Sequence, residues 1–399
     1  MQSSALESAS QTPQKLSARV LRTFDQIQAI RPYWNQWQGH RDVDFDVYRT
    51  VLESAPVCAV PYVIVVETED SPVALLVGFI SKTKLETKLG YFTISAPEVR
   101  LIQLVYGGFI GNQSPDNAEI AVTELMVSLR EREADIAALN YLRPGSSIYK
   151  AVRHIIPGVM RDLCPTVQSH WEMSMPDRPE AIYSRLSGEH RWKLKRDKKR
   201  LSAAYPNLVI KRFKERNDLD LLVNTADRIA AKTYQRGLGA GFSKSRQIID
   251  LLRLEAQNGW LRASVLFANG EPCAFWIGTL YHGTFISDYL GYDPAYSKYS
   301  PGNYLMMDVI EDLCREGATT IDFGIGDAMY KQRLATSGWE ENAVYLFAPR
   351  LRALEVKCAR ISATYLKRGL KCVMQDSGSL GRIKKLWRKK LARQATRSY

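Results

Sequence analysis

Apolar and polar residues alternate in the same order in the two halves of this 399-residue chain. In the first half, the pattern predicts a hairpin of two strands at 62–67 and 73–81, and further strand-like residues follow. The tetrapeptide Ser-Pro-Asp-Asn at 114–117 then begins a helix through Arg130, and an apolar strand at 136–142 comes next. Strands that alternate with helices in this way are typical of an α/β unit.

The second half repeats that order. Its predicted elements are a helix at 218–233, hairpin strands at 261–267 and 273–280, a strand at 284–292, the tetrapeptide Ser-Pro-Gly-Asn at 300–303, a helix through Arg315 and a strand at 320–324. Asn269-Gly270 joins the hairpin strands and is a strong signal for a two-residue turn. We interpret the repeat as an internal duplication of one α/β (α+β) unit, in which each copy has a mixed central sheet flanked by helices.

Prolines at 165, 176 and 179 mark the join between the two copies, because proline interrupts regular structure. The predicted division is a disordered tail at 1–16, a first copy at 17–170, a second copy at 171–350 with a basic helical insertion at 187–216, and a basic helical segment at 351–399.

The formal net charge of +13 lies almost entirely in the last fifty residues, where 15 Lys and Arg face only Glu355 and Asp376. The other 349 residues carry 40 basic and 40 acidic side chains. Apolar residues between Leu380 and Leu391 line one side of the basic segment 379–397, which predicts an amphipathic helix that lies on an anionic membrane surface or binds an acidic partner. A solvated helix and tail is the alternative.

No apolar run approaches the length of about 20 residues that a membrane-spanning helix needs. The six cysteines are scattered and form no C-x-x-C pair. We therefore expect a cytoplasmic protein, which the basic segment could hold at the inner membrane as a peripheral protein.

Common catalytic motifs do not occur in the sequence. It has no H-E-x-x-H, G-x-S-x-G or P-loop pattern, and its five histidines are widely spaced, so we expect no metal site. The glycine-rich run at 237–241 has the wrong spacing for a dinucleotide loop and follows a helix, which favours a flexible loop facing a substrate.

The tetrapeptide Ser300, Pro301, Gly302, Asn303 is the strongest candidate for a phosphate site. The first turn of a helix offers unpaired N–H groups and a partial positive charge, and glycine allows a phosphate to approach closely. A plain capped helix is the alternative interpretation. In the first copy the third position is Asp116, whose charge would repel a phosphate, so the second copy is the predicted binder and the first copy is a structural partner or part of the acceptor site.

The run 322–331 brings further reactive groups to the end of a predicted strand, where open α/β sheets place their ligands. Asp327 could accept a proton, Tyr330 could donate one, and Lys331 adds an amine. A helix-capping Asp327 with a surface Lys331 is the alternative, and spacing alone leaves Asp322 unassigned.

From about Ser187 to Phe347, the sequence resembles the FemAB-like acetyltransferases of the GNAT superfamily, in their CelD-like, cellulose-biosynthesis branch. The motifs that carry this resemblance are, in order, HRWKLKRDKKRL, KTYQRG, GWLRASVLFANGEPCAFWIG, GYDPAYSKYSPGNYLMMDVIEDLCREG and DFGIGDAMYK. FemAB-type enzymes contain two GNAT-like copies, which agrees with the duplication.

The resemblance implies transfer of an acyl group from acyl-CoA to an amine or hydroxyl of a sugar, amino acid or polysaccharide precursor. It implies that the strand Phe285 to Tyr292, with Tyr289 and Leu290, splays from its neighbour and holds the pantetheine arm, while 300–303 holds the phosphates. The usual Gln/Arg-x-x-Gly-x-Gly/Ala loop is replaced here by Ser-Pro-Gly-Asn.

Acyl transfer to an amine requires the amine to lose a proton, since a free alkylamine has a pKa of about 10. Asp327 is the first candidate for the base and Asp288 the second, while Tyr330 is placed to protonate the departing thiolate. Backbone N–H groups of the splayed strand would stabilise the oxyanion.

Two other functions remain open from the sequence. The basic helix at 191–200 and the cationic tail suit an aminoacyl transferase that takes its acyl group from aminoacyl-tRNA, as some FemAB relatives do. A non-catalytic accessory protein of polysaccharide biosynthesis is the other possibility.

Overall fold

The computed structural model describes residues 15–55, 58–85, 87–89, 92–94, 97–162, 166–233, 236 and 241–376. The strands are β1 Ser17–Leu21, β2 Ala59–Glu67, β3 Pro72–Lys84, β4 Thr87–Leu89, β5 Phe92–Ile94, β6 Glu98–Gly111, β7 Ile136–Leu142, β8 Thr166–Ser174, β9 Leu208–Phe213, β10 Leu261–Ala268, β11 Glu271–Tyr281, β12 Thr284–Tyr292, β13 Thr320–Ile325 and β14 Ser337–Phe347. The helices are α1 Phe24–Ala29, α2 Arg31–Trp37, α3 Phe45–Glu53, α4 Pro115–Arg130, α5 Ser147–Ile155, α6 Pro179–Ser184, α7 Gly188–Ala204, α8 Leu219–Ala230, α9 Arg246–Gln257, α10 Pro301–Arg315, α11 Met329–Leu334 and α12 Leu351–Asp376.

In this part of the chain, one mixed sheet contains twelve strands in the order β1-β2-β3-β6-β7-β14-β8-β13-β12-β11-β10-β9, and β4 pairs with β5 separately. Helices cover both faces, so central strands such as β2 consist of consecutive buried residues (Tyr62 to Val66) instead of an alternating pattern. The predicted fold class is thus confirmed, except that the two central sheets are joined into one.

The duplication is visible in the sheet. Strands β1, β2, β3 and β6 with helix α4 correspond to β9, β10, β11 and β12 with helix α10. Each half has one parallel pair of strands among its described residues, and each pair is hydrogen-bonded over three residues, 101–103 with 136–138 and 284–286 with 320–322. The antiparallel ladder beside each pair has a bulge at a glycine, Gly78 or Gly278.

The two halves exchange their last strands. Strand β8, which ends the first half, pairs with β13 of the second half, whereas β14, which ends the second half, pairs with β7 of the first half. Strands β8 and β14 also pair with each other at the centre of the sheet. The predicted boundary between 170 and 171 is therefore wrong, because it falls within β8 and neither half completes its sheet alone.

Other predicted segments differ in part from the structure. The basic insertion 187–216 is a helix only as far as Ala204, and its remainder contains the edge strand β9. Leu16, which we expected in the tail, packs against the core of the first half. Residues 1–14 and the whole of the basic amphipathic segment 379–397 lie outside the described residues. The helices that are described include none with the length and apolarity required to span a bilayer.

Apolar packing holds the two halves together on one face of the sheet. Helices α1 to α3 cover that face in the first half, and α8 and α9 cover it in the second half. Helix α3 packs against α9, and this contact places the loop and short 3-10 helix at 40–43 of the first half beneath strand β12 of the second. The fold thus brings first-half side chains to the parallel strands of the second half.

Candidate functional site

The start of α10 has an open backbone. Ser300 adopts a left-handed conformation (φ 54°, ψ 49°) and makes no side-chain cap, because its hydroxyl donates to Asp197 Oδ2 of α7 at 3.0 Å. The alternative interpretation of a plain capped helix is therefore wrong. Pro301 is buried and has no N–H, and the N–H groups of Asn303 and Tyr304 bond the Ser300 carbonyl. Among the described residues, the Gly302 N–H has no acceptor.

The corresponding helix in the first half begins differently. The Ser114 hydroxyl accepts from the Asn117 N–H at 3.2 Å, so this helix start is capped by its own side chain. Asp116 adds a negative charge in the first turn. The second-half helix therefore combines glycine with an uncapped first turn, whereas the first-half helix has Asp116 and a cap from Ser114.

A cavity of about 640 Å³ leads from Gly302 to the end of β13; we call it the donor cavity. It contains most of the predicted site residues, namely Asp288, Tyr289, Leu290, Gly302, Asn303, Asp327, Tyr330 and Lys331. Ser300 lies outside it and lines the neighbouring groove beside α7 instead. The predicted phosphate turn and the predicted catalytic strand end thus face the same space.

One wall of the donor cavity is a gap in the sheet. Strand β13 pairs with β8 over 320–325 but with β12 only at 284–286, so residues 287–292 of β12 have no strand partner on that side among the described residues. The bulge between Ile277 and Gly278 supports this divergence. A Cβ at Gly278 would lie 2.4 Å from the Ile286 carbonyl oxygen, so the close approach at the bulge needs glycine. The splayed strand that the resemblance implies is confirmed.

The groups at the end of β13 have different environments. Asp327 is exposed, and the helix after it begins at Met329 with Ala328 as its N-cap residue and no side-chain cap, so Asp327 is not a cap. Tyr330 is half-buried and meets Phe323 edge-on at 6.0 Å. Lys331 is buried, and its amine donates to the backbone carbonyls of Phe323 and Ile325. Burial lowers the pKa of Lys331. The alternative of a surface Lys331 is wrong, because this amine fastens α11 to the end of β13.

Asp288 belongs to a buried ion cluster that links the two halves. Its Oδ1 accepts from Arg41 Nη1 at 2.7 Å, and the same Nη1 lies 3.1 Å from Glu255 Oε1. The Thr279 hydroxyl lies 2.7 Å from Glu255 and 3.1 Å from Asp288, and it has one proton to donate. Burial raises the pKa of Asp288 and raises that of Glu255 to about 7. One proton shared by this pair of carboxyls satisfies all these contacts.

A second cavity, of about 230 Å³, lies between the two halves, and we call it the interface cavity. Its walls include His40, Tyr106 and Tyr141 from the first half and Ile286 and Asp322 from the second. It shares Ser287, Asp288 and Ile325 with the donor cavity, so the two cavities meet at the gap between β12 and β13.

His170 organises the floor of the interface cavity. Its Nε2 donates to Asp322 Oδ1 at 2.6 Å, and its Nδ1 lies 3.3 Å from Glu341 Oε1. Burial alone would lower the pKa of His170, but the bonds to these carboxylates raise it to about 9. In the same way, burial opposes ionisation of Asp322, but His170 and the Gly324 N–H lower its pKa below the usual value. The pair is therefore an ion pair at neutral pH.

This cluster could not be predicted from the sequence. The five histidines are widely spaced along the chain, and spacing alone leaves Asp322 unassigned. His170 and Asp322 are 152 residues apart, and each lies on a strand whose neighbour is set by the exchange of β8 and β14. No local signal joins them. Among the described residues, no group of three or more His, Cys, Asp or Glu side chains could hold a metal ion.

A groove of about 480 Å³ with charges of both signs lies beside the donor cavity. Helices α6, α7 and α10 form it, and its charged residues are the cations Arg191, Lys195 and Lys198 and the carboxylates Glu180, Asp197, Asp308 and Glu311. Asn303 lines both the groove and the donor cavity. The positive face of α7 therefore begins where the predicted phosphate turn ends.

Comparison with known proteins identifies the second half. Residues 188–332 match the family described as the acetyltransferase (GNAT) domain. The structure called FemX aligns over 81% of this chain and 96% of its own, with a TM-score of 0.50 and 10% identity. A conserved protein of unknown function from Bacteroides thetaiotaomicron (80% and 97% covered, TM-score 0.47, 14% identity) and L-PGS from Bacillus licheniformis (84% and 96%, 0.47, 13%) are also similar. No curated protein sequence matches the chain.

These findings place a GNAT acetyltransferase domain over the donor cavity, and the protein is an acyltransferase. The likeness to FemX extends beyond that domain to most of the chain and shows a shared fold.

Proposed function

We propose that the protein transfers an acyl group from acyl-CoA to an amine or hydroxyl acceptor, such as a sugar, an amino acid or a polysaccharide precursor. The proposal includes membership of the FemAB-like, CelD-like branch. The observation that supports it most directly is one continuous cavity from the open Gly302 amide, along the unpaired edge of β12, to Asp327 and Tyr330.

The donor would occupy the donor cavity from end to end. The Gly302 N–H and the partial positive charge of α10 favour the diphosphate, and the Asn303 side chain lies beside them. Backbone groups at 287–292, which have no partner on the β13 side, can bond the amides of the pantetheine arm. This arrangement would carry the thioester to the gap that joins the two cavities.

Direct attack by the acceptor needs no covalent enzyme intermediate. A free N–H of β12 at the gap can stabilise the oxyanion, and loss of such a donor typically slows an enzyme by about 10²- to 10³-fold. Tyr330 lies in the donor cavity and would protonate the thiolate. Asp327 would serve as base for an acceptor that enters from this side. Asp288 is held by Arg41, so it would have to leave its ion pair to take a proton.

Calorimetric titration with CoA and acetyl-CoA tests the donor site, with Gly302→Asp and Gly302→Ala as a matched pair. A Cβ at Gly302 would meet only Tyr292 Cδ1 at 3.4 Å, an ordinary contact, so alanine fits. A carboxylate about 4 Å from a phosphate costs about 4 kcal/mol at an effective dielectric of 20, so Asp should weaken binding by at least 100-fold. We expect tight binding to the parent, slightly weaker binding to the alanine variant and none measurable to the aspartate variant. Equal affinity of all three proteins would contradict this donor site.

Aminoacyl-tRNA is a second candidate donor, because the exposed cations of α7, two of which line the groove beside Asn303, offer a track for phosphates. Affinity measured across a salt series separates the two donors. Binding of tRNA should fall steeply as salt rises, since each neutralised phosphate releases counterions. If acetyl-CoA does not bind and aminoacyl-tRNA does, the second candidate replaces the first.

A further inference from the structure

The interface cavity holds a carboxylate with one oxygen left open. Asp322 Oδ1 accepts from His170 Nε2 and from the Gly324 N–H, each at 2.6 Å. Oδ2 receives no hydrogen bond from the described residues, and His40 Nε2, at 4.0 Å, lies across the cavity from it. The first oxygen therefore fixes the carboxylate, and the second faces the space at the gap between β12 and β13.

His40 presents a hydrogen-bond donor to the same space. Its Nδ1 accepts from the Asp42 N–H at 3.1 Å, so the neutral ring carries its proton on Nε2. Burial lowers the pKa of His40, which keeps the ring neutral at pH 7. The Nε2 atom is buried and has no hydrogen-bond partner among the described residues. Such an atom indicates a missing partner in the cavity.

The chemistry of these two atoms selects the kind of group that fits between them. An atom about 2.8 Å from both, an ordinary hydrogen-bond length, can lie in the 4.0 Å gap. It must accept a proton from His40 Nε2 and donate one to Asp322 Oδ2. A hydroxyl group does both, whereas an ammonium group has only donors. A free alkylamine is mostly ammonium at neutral pH, so it would face the N–H donor of His40 with another donor and could not accept its hydrogen bond.

We propose that the interface cavity is the acceptor subsite, that it binds a hydroxyl group between Asp322 and His40, and that Asp322 is the general base. This inference rests on the proposed function and deepens it, because it assigns O-acylation and an acceptor that enters opposite the donor. The hydroxyl oxygen attacks the thioester carbonyl carbon, and its proton moves to Asp322 Oδ2. As the C–S bond breaks, Tyr330 gives its proton to the thiolate; Asp322 then loses its proton to water and Tyr330 regains one.

Residues of both halves act as positioning residues for this base. His170 holds Asp322 and is itself held by Glu341 and by Trp339, whose ring stacks on it at 4.5 Å and 12°. The Tyr106 hydroxyl donates to Glu341 Oε1 at 3.0 Å and closes the network. The first copy, which has no open phosphate turn of its own, therefore supplies the acceptor wall.

The test uses acetyl-CoA with hydroxylamine, a small nucleophile that is uncharged at pH 8 and both donates and accepts hydrogen bonds. Methylamine, which is mostly ammonium at that pH, is the matched probe. Enzyme-dependent release of the CoA thiol is measured for both probes, and CoA affinity is measured in parallel. We expect turnover with hydroxylamine at least tenfold faster than with methylamine.

Variants then locate the base. Removing a general base typically costs about 10²-fold or more, so Asp322→Asn should lower the hydroxylamine rate by that factor with CoA affinity unchanged within twofold. His40→Phe keeps the ring packing against Tyr106 but removes one hydrogen bond, so it should lower the hydroxylamine rate about fivefold. His40→Gln keeps an N–H donor and should recover most of that rate. His154→Phe alters an exposed histidine of the first half and should change nothing.

The outcomes distinguish the two proposals. A parent protein that fails to bind CoA contradicts the proposed function itself. If CoA binds but hydroxylamine gives no enzyme-dependent thiol release, or methylamine reacts as fast, the acceptor subsite is wrong. If Asp327→Asn removes turnover and Asp322→Asn retains it, the acceptor enters from the donor side and the base is not Asp322.

Discussion

Substitution of Arg41 by methionine tests the ion cluster that joins the two halves. Methionine retains most of the aliphatic stem and removes the guanidinium. That group is buried and donates to Asp288 at 2.7 Å, to Thr279 at 3.1 Å and to Asp42 at 2.8 Å, and it lies 3.1 Å from Glu255. Glu255 is only 1% exposed. The variant therefore leaves buried carboxyls without their cation.

The expected loss depends on pH. Removing one partner of a buried ion pair costs about 3–5 kcal/mol when the other charge stays. In the parent, burial raises the pKa of Glu255 to about 7, above its ordinary value of 4.5. The folded state then holds a proton that the unfolded chain has lost, so this group makes stability fall as pH rises from about 4.5 to about 7. Arg41 lowers the pKa values of Glu255 and Asp288, so its removal deepens this fall and extends it to higher pH.

The assay is denaturant unfolding at pH 5 and pH 8, followed by tryptophan fluorescence. At pH 8 we expect Arg41→Met to lose about 3–5 kcal/mol, and at pH 5 less than half of that, because protonated carboxyls need no cation. Arg49→Met is the matched control. Arg49 pairs with Glu53 on the surface, where both side chains are about half exposed, and such pairs contribute at most about 1 kcal/mol. An equal loss of unfolding free energy at both pH values, or a loss in Arg41→Met no larger than that in Arg49→Met, would refute the reasoning.

Three further predictions follow from other parts of the molecule. Lys331→Met leaves the carbonyls of Phe323 and Ile325 without their donor, which should lower the stability of the fold by about 1–3 kcal/mol for each unsatisfied group. The thermal midpoint and the transfer rate should therefore both fall. The control Arg333→Met alters an exposed neighbour and should change neither. If Lys195 and Lys198 contact the 3′-phosphate of CoA, the double variant Lys195→Gln, Lys198→Gln should weaken the binding of CoA more than that of dephospho-CoA, which lacks this phosphate, in calorimetry. The difference should shrink in high salt because both lysines are exposed. Equal weakening of both ligands would place the 3′-phosphate elsewhere. The full chain should sediment with anionic vesicles, and a chain that ends at Ser377 should stay in solution, because the basic segment 379–397 would be the membrane contact. Equal sedimentation of both chains would show that this segment does not bind the membrane.

Much of the fold and half of the site could be predicted from the sequence, because the signals are local. Alternating apolar residues and the Asn269-Gly270 turn predict the hairpin β10–β11, which the structure has. Comparison of Ser-Pro-Gly-Asn with Ser-Pro-Asp-Asn predicts that the second copy is the phosphate binder, and this stays a prediction. The difference in capping is a finding of the structure, in which Ser114 caps its helix and Ser300 does not. The family resemblance adds the splayed strand, which the pairing of β12 confirms.

Orientation of single side chains was less predictable. Lys331 and Asp327 are four residues apart, yet one is buried against carbonyls and the other is exposed. Ser300 suits a cap by its residue type, but its left-handed backbone turns its hydroxyl to Asp197, which is 103 residues away. Local spacing gives the order of these residues along an element, whereas the neighbours packed against that element decide which way each points.

The sequence by itself determined that two α/β units follow one another and that the second begins a helix with Ser-Pro-Gly-Asn where the first has Ser-Pro-Asp-Asn. Only the tertiary structure decided that β8 and β14 change places and that Arg41 and His40 of the first unit reach Asp288 and Asp322 of the second. The physical reason is that a strand edge offers the same backbone hydrogen bonds to any partner. The burial of whole sheet faces decides which strands pair. That burial depends on many contacts between residues far apart in sequence, such as Arg41 and Asp288, which are 247 residues apart.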